Sequence, residues 1–186
     1  MLINTEELVP QYIKKIYETI LKGYFINENS YRDGYSQLYQ IIDRNEMELR
    51  AYFKPLGYIL VKRVGYFYFA SDDALEKESM LELIVDYIEI IDFLKTLDSN
   101  FQASYRFTVS SIESKLSSRN IELQNSASKM RGINAKSNRE FAQKIVDKLK
   151  KSGFVEEQDS VKGEYIVLNS YDYIESLLKK VEIYEE

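Results

Sequence analysis

A helix that runs into a glycine, an aromatic residue and a β-hairpin occurs twice in this chain, and no other feature limits its fold as tightly. The first copy runs from Met47 through Lys54 to Gly57-Tyr58-Ile59-Leu60-Val61, turns at Val64-Gly65 and returns along Tyr66-Phe67-Tyr68-Phe69. The second runs from Phe141 through Lys151 to Gly153-Phe154-Val155, turns between Asp159 and Gly163, and returns along Tyr165-Ile166-Val167-Leu168. Helix, glycine, hairpin is the closing half of a winged helix-turn-helix, and a repeat outranks any local signal as a guide to architecture. The copies lie just under a hundred residues apart, which gives each room for its own compact domain.

The periodicity fills in the rest. Val9, Ile13, Ile16, Tyr17, Ile20 and Leu21 predict a helix within residues 9–26, with a stop near Gly23 and Asn27, and Tyr35 to Ile42 a shorter one. Asn45 and Glu48 stand in capping-box register before a third helix that Pro55 and Gly57 end. Residues 75–98 form the most continuous helical pattern. Leu81, Ile84, Ile88 and Ile91 share one face, Leu83, Tyr87, Ile90, Leu94 and Leu97 the next, and only Glu82, Asp86 and Glu89 keep a polar stripe. So wide an apolar arc is expected of a helix between two domains or at a subunit interface. A metal site on the stripe is the sharper alternative to a solvated face, and none is assigned. Phe107, Val109, Ile112 and Leu116 suggest a further helix, and Ile121 to Met130 another. Ser137 and Glu140 form a capping box that opens the helix of the second copy, and a last helix spans about Tyr171 to Tyr184. The expected fold is mainly α with small β-hairpins (α+β). Two tandem winged-helix domains, residues 1–73 and 101–186, are joined by a connecting helix at 74–100.

Inventory excludes much chemistry. The chain has no histidine and no cysteine, so zinc fingers, Cys/His pairs and Ser-His-Asp triads cannot be built. Its seven glycines never spell a phosphate-binding loop. No catalytic residue and no cofactor are assigned. The start, Met1-Leu2-Ile3-Asn4-Thr5-Glu6-Glu7, lacks the basic and apolar regions of a signal peptide, and charges interrupt the most apolar stretch, Met80 to Leu97. The expected setting is the cytoplasm, with no membrane contact.

Charge is polarised beneath a net −5. Residues 101–151 hold eleven bases against four acids, residues 75–100 two against seven, and residues 152–186 three against nine. On a helix at 100° per residue, Lys144, Lys148 and Lys151 fall together beside the apolar arc. With Lys129, Arg131 and Lys136 before the helix, Arg139 in its first turn and Lys162 in the wing, they are the candidate DNA-binding set, since such a helix commonly enters the major groove. An ordinary lysine-rich surface, with Glu140 and Lys144 as an i,i+4 pair, is the plainer reading. Asn134, Asn138 and Gln143 are the few groups suited to reading bases, so any DNA binding should be mostly non-specific. The third helix of the first domain instead pairs Glu46, Arg50 and Lys54 among themselves and stands among many tyrosines. Tyr35, Tyr39, Tyr52, Tyr66 and Tyr68, with Ile84, Ile88 and Ile91, are the candidate protein-interface residues.

Three stretches carry a resemblance. Gly34-Tyr35-Ser36-Gln37-Leu38-Tyr39, then Leu49-Arg50-Ala51-Tyr52-Phe53-Lys54-Pro55-Leu56-Gly57-Tyr58-Ile59-Leu60, then Gly65-Tyr66-Phe67-Tyr68-Phe69 resemble the MukE and MksE group. Those proteins are the tandem winged-helix accessory (kite) subunits of bacterial condensin-like complexes. The resemblance covers residues 34–70 and implies a dimeric subunit that binds the central region of a kleisin. It further implies a role in bridging the heads of a coiled-coil SMC-type ATPase, contact with DNA, and placement on the nucleoid. Chromosome organisation or defence against plasmids would be its task. A winged-helix transcriptional regulator and a plasmid replication initiator are the alternatives. A regulator should carry a strongly basic third helix in each half, and here only the C-terminal half is basic.

Overall fold

In the computed structural model the described residues are 10–22, 25–70, 74–118, 120–130 and 132–182, without the side chains of 74–84, 86, 129 and 180–182. The chain divides into two compact units, Met1–Asp73 and Ala74–Glu186.

The first unit holds α1 (Pro10–Leu21), β1 (Ile26–Asn27), α2 (Tyr35–Arg44), α3 (Glu46–Phe53), a 3₁₀ turn at Lys54–Leu56, β2 (Ile59–Arg63) and β3 (Tyr66–Ala70). Its three strands form an antiparallel sheet in the order β1-β3-β2, with Ile26 opposite Phe67 and Leu60 opposite Phe69. Ile16, Ile20, Leu38, Ile42, Leu49 and Phe53 from the three helices pack on Ile26, Leu60 and Phe67 from the strands. The helix expected within 9–26, with a stop near Gly23 and Asn27, ends at Leu21, and Ile26 and Asn27 form β1 and close the sheet. Two residues offer no periodicity, so this strand has no signature of its own in the sequence.

The second unit begins with α4 (Ala74–Leu97) and continues through β4 (Arg106–Thr108), α5 (Val109–Ser117), α6 (Ile121–Lys129), α7 (Asn138–Lys151), β5 (Val155–Asp159), β6 (Glu164–Val167) and α8 (Tyr171–Glu182). Its sheet repeats the first, in the order β4-β6-β5. Phe107, expected in a helix, lies in β4 opposite Tyr165. Ala142, Ile145, Val146 and Leu149 of α7 are buried with Phe93 and Leu94 of α4 and Ile112 of α5. Most of the described apolar length of α4 thus belongs to this core. Among the described residues no helix is long and apolar enough to cross a membrane.

The helix-to-hairpin junctions match atom for atom. Gly57, at φ 85°, donates its amide to the Lys54 carbonyl at 3.0 Å, and Tyr58 donates to Phe53 O at 3.2 Å. Gly153, at φ 73°, donates to Lys150 O at 3.2 Å, and Phe154 donates to Leu149 O at 3.0 Å. Both are Schellman closures, in which a left-handed glycine lets the following amides satisfy the last helical carbonyls.

The expected N-caps fare unevenly. Ser137 Oγ does accept from Glu140 N at 3.2 Å, but the Glu140 carboxylate turns to Lys136 N at 2.8 Å, so only half of that box forms. Asn45 makes no side-chain cap for α3 and donates its Nδ2 to Ile41 O at 2.9 Å, because one residue serves as the end of α2 and the start of α3. A reciprocal box does stand at Thr108 and Ser111, with bonds of 3.0 and 3.1 Å, where serine replaces the usual acid at N3.

Candidate functional site

The candidate nucleic-acid surface is built on α7. Its inward positions are apolar and fixed in the core, so the outward ridge at 100° per residue is Glu140, Lys144, Asp147 and Lys151. Acid and base alternate along it. Lys144 Nζ meets Glu140 Oε1 at 2.8 Å and also donates to Asn134 O. That contact, followed by the Lys136 amide, holds the Glu140 carboxyl below the ordinary glutamate range. Lys148 lies off the ridge, its ammonium 5.2 Å from the centroid of the Tyr87 ring on α4. Tyr87 in turn donates its hydroxyl to Lys148 O at 3.1 Å. Lys162, at the hairpin turn, pairs with Asp159 at 3.3 Å. Lys136, Arg139 and Lys151 are exposed and make no ion pair with the described residues. The Lys129 side chain and Arg131 lie outside the described residues.

Two of the three groups suited to base reading, Asn138 and Gln143, are occupied within the chain. Gln143 Nε2 donates to Asp147 Oδ1 at 2.9 Å and Asn138 Nδ2 to Ser117 Oγ at 3.2 Å, whereas at Asn134 it is the backbone carbonyl that accepts from Lys144. The second hairpin is acidic, carrying Glu156, Glu157, Asp159 and Glu164 beside Lys162. Glu157 reaches back to Lys150 of α7 at 3.1 Å. Counting lysines along α7 could not reveal this pairing, because it joins a helix to a strand seven residues later.

The candidate protein surface is on the first unit. There α3 exposes Met47 and Ala51, and Leu56 and Tyr52 stand 55% and 46% exposed beyond them. A groove of about 450 Å³ opens between α1 and the α3–3₁₀ segment, with Pro10, Ile13, Lys14 and Tyr17 on one side and Tyr52, Phe53 and Leu56 on the other. Sequence reasoning marked Tyr52 but missed Leu56, although a leucine between a proline and a left-handed glycine is held at the surface by the turn itself.

The remaining interface candidates separate by burial. Tyr35 is half-buried, its ring 4.8 Å from the Arg32 guanidinium and 5.7 Å from Lys15 Nζ. Tyr68 is half-buried and stacks on Tyr66 at 6.1 Å. Tyr39, Tyr66 and Ile91 are buried within the chain, Tyr39 against Phe67 at 5.2 Å and Tyr66 against Phe25 at 5.7 Å. Their faces of helix and strand point into packed layers and not outward. Ile88 of α4 is 47% exposed, and the Ile84 side chain lies outside those described.

Comparison with known proteins adds one match. The model of the family described as condensin complex protein MksE fits residues 11–178. No curated protein matches the chain.

Proposed function

We propose a specific role for this chain, which belongs to the MksE family of condensin complex proteins: a non-enzymatic accessory subunit that binds a kleisin through its first unit and DNA, non-specifically, through its second. The family match carries this reading, since it spans both units and not only the segment of the sequence resemblance. The two strand orders, β1-β3-β2 and β4-β6-β5, support reading each unit as a winged helix, because the first strand inserts beside the returning arm of the hairpin. The third helices support a division of labour. The outward ridge of α7 is wholly charged or polar, whereas α3 exposes Met47, at 75%, and Ala51 beside its Glu46–Arg50 pair.

For DNA, Lys136, Arg139 and Lys151, which make no ion pair with the described residues, are the first contacts, joined by Lys144, Lys148, Lys162, Lys129 and Arg131. Phosphate neutralisation, with the Asn138 and Gln143 amides occupied, favours backbone contact over base reading. Ile88 fits a homodimer contact or a larger assembly on the nucleoid. Chromosome organisation or plasmid defence is the task such a subunit serves. Co-purification tests the reading: a stable complex with the kleisin of the same system is expected. A protein that ignores the kleisin and protects one operator sharply is a regulator instead.

A further inference from the structure

The second unit carries a face on which exposed apolar side chains and carboxylates stand together. At 100° per residue, Val85, Ile88, Asp92 and Thr96 of α4 fall on one arc. Val85 is 72% exposed and Ile88 47%. Where this arc meets α6, a groove of about 500 Å³ opens, with Asp92 on one side and Ile121, Glu122 and Ser126 on the other. Ser126 Oγ donates to Asp92 Oδ2 at 2.9 Å and ties the two walls together. The first turn of α6 is fixed by Asn120, whose Oδ1 accepts from Leu123 N at 3.1 Å, and by the buried Leu123 side chain. That turn holds Ile121 outward, 71% exposed. Exposed apolar residues gathered around one groove, and not scattered singly, mark a recognition surface.

The charge of this groove has one sign. Asp92 and Glu122 line it, and no cation among the described residues does. Asp92 is bonded to a neutral hydroxyl, and Glu122 is exposed and makes no ion pair with the described residues. The described lysines of α4 and α5 nearest in sequence are committed elsewhere. Lys95 holds Glu175 and Phe101 O, each at 2.7 Å, and Lys115 holds Asp98 at 3.0 Å and Leu97 O at 3.1 Å. Nucleic acid and anionic lipid are therefore repelled here. A second copy docking by a two-fold axis would present the same face, carrying carboxylates and no described cation to pair with them. A partner bearing both apolar and basic side chains satisfies the whole surface, and a groove between helices is a usual seat for a helix. We infer that the α4–α6 face of the second unit receives an amphipathic helix of a partner protein, its apolar side chains covering Ile88 and Ile121 and its Lys or Arg side chains meeting Asp92 and Glu122. Val85 to Thr96 covers roughly 16 Å of helix axis, the length of about three turns of such a partner. The contact is independent of the kleisin reading of the first unit. Apolar anchors supply most of the affinity of an interface of this kind, while rim charges set register and salt dependence.

The test is anisotropy of a labelled synthetic helix, leucine on one face and lysine on the other, titrated with the full chain. Binding is expected, and a counterpart helix with glutamate in place of lysine should not bind. Ile88→Ser and Ile121→Ser should each weaken binding about tenfold. Glu122→Lys should weaken it several-fold, with a loss that shrinks as salt rises. Asp33→Lys, at an exposed site on the first unit, and Val161→Ser, at the 95% exposed tip of the second hairpin, make the same kinds of change elsewhere. Both should leave binding unchanged. Circular dichroism confirms that each variant is folded. A wild type that ignores the lysine helix, or binds the glutamate helix equally well, overturns the proposal. So does binding that the Ile88, Ile121 and Glu122 variants leave intact, or that the two control variants reduce to the same extent. If sedimentation shows that Ile88→Ser abolishes self-association while affinity for the lysine helix is unchanged, the face belongs to a second copy of this chain and the proposal is wrong.

Discussion

Tyr105 donates its phenolic hydroxyl to Asp98 Oδ2 at 2.8 Å, and this bond fixes the segment leading from α4 into the second sheet. Asp98 also accepts from the Asn100 amide at 3.0 Å and from Lys115 Nζ at 3.0 Å, while Lys115 reaches Leu97 O at 3.1 Å. One carboxylate thus ties the end of α4 to α5 and to the residue before β4. Its geometry generates the first prediction.

The Asn100 amide, then Tyr105 and Lys115, hold the Asp98 carboxyl well below the ordinary aspartate range. A depressed folded value contributes stability that is present above the unfolded pKa, near 4, and is lost as pH falls through the folded value. Acid titration of unfolding should show this loss, and Asp98→Asn should flatten it. At neutral pH the same variant should cost about 1–2 kcal/mol, the worth of hydrogen bonds to a charged group at a partly exposed site. Burial, followed by Asp98, pushes Tyr105 up to about 12, so its contribution is complete below pH 10 and fades as pH rises through that value.

A second prediction concerns Tyr171. Its side chain is fully buried against Phe101, with centroids 5.6 Å apart, and its hydroxyl finds no hydrogen-bond partner among the described residues. Removing an unpaired buried hydroxyl removes its desolvation cost. Tyr171→Phe should leave stability unchanged or raise it by about 1 kcal/mol in urea denaturation. A substantial loss would show that the hydroxyl is bonded in solution.

A third concerns the repeated glycine. An added Cβ at Gly57 meets nothing within 4 Å, so the only obstacle to alanine there is the backbone at φ +85°. Gly57→Ala should therefore cost about 1–2 kcal/mol, and Gly57→Asn less, since asparagine tolerates that region better. Thermal melts of the two variants compare them directly.

The repeat, both hairpins and their glycines were legible in the sequence because each is local: a 3.6-residue period that changes to 2, interrupted by a residue suited to positive φ. The family resemblance in residues 34–70 is borne out by a match over residues 11–178. What escaped was non-local. Ile26–Asn27 and Arg106–Thr108 become strands only because a hairpin arm from elsewhere pairs with them. Tyr66 alternates outward or inward only once the sheet has neighbours. The lysines of α7 looked uniformly available until Glu140, Tyr87 and Glu157 met three of them.

That pairing yields a fourth prediction. Glu140 and Asp147 lower the potential along the α7 ridge, so Glu140→Gln should strengthen binding to a short duplex several-fold. The same change should steepen the salt dependence, as Lys144 becomes available for one more phosphate. With about 0.9 counterion released per contact, three contacts in the wild type give a log–log slope of roughly −3. Little dependence on sequence is expected.

The most direct test of the account is a double dissociation: kleisin segment and DNA duplex titrated in parallel against the wild type, Leu56→Glu, and Arg139→Glu/Lys151→Glu. The account predicts that Leu56→Glu loses the kleisin and keeps DNA, while the charge-reversed pair loses DNA and keeps the kleisin. Loss of both ligands in either folded variant, or the reverse assignment, would contradict a protein-binding first unit and a DNA-binding second one.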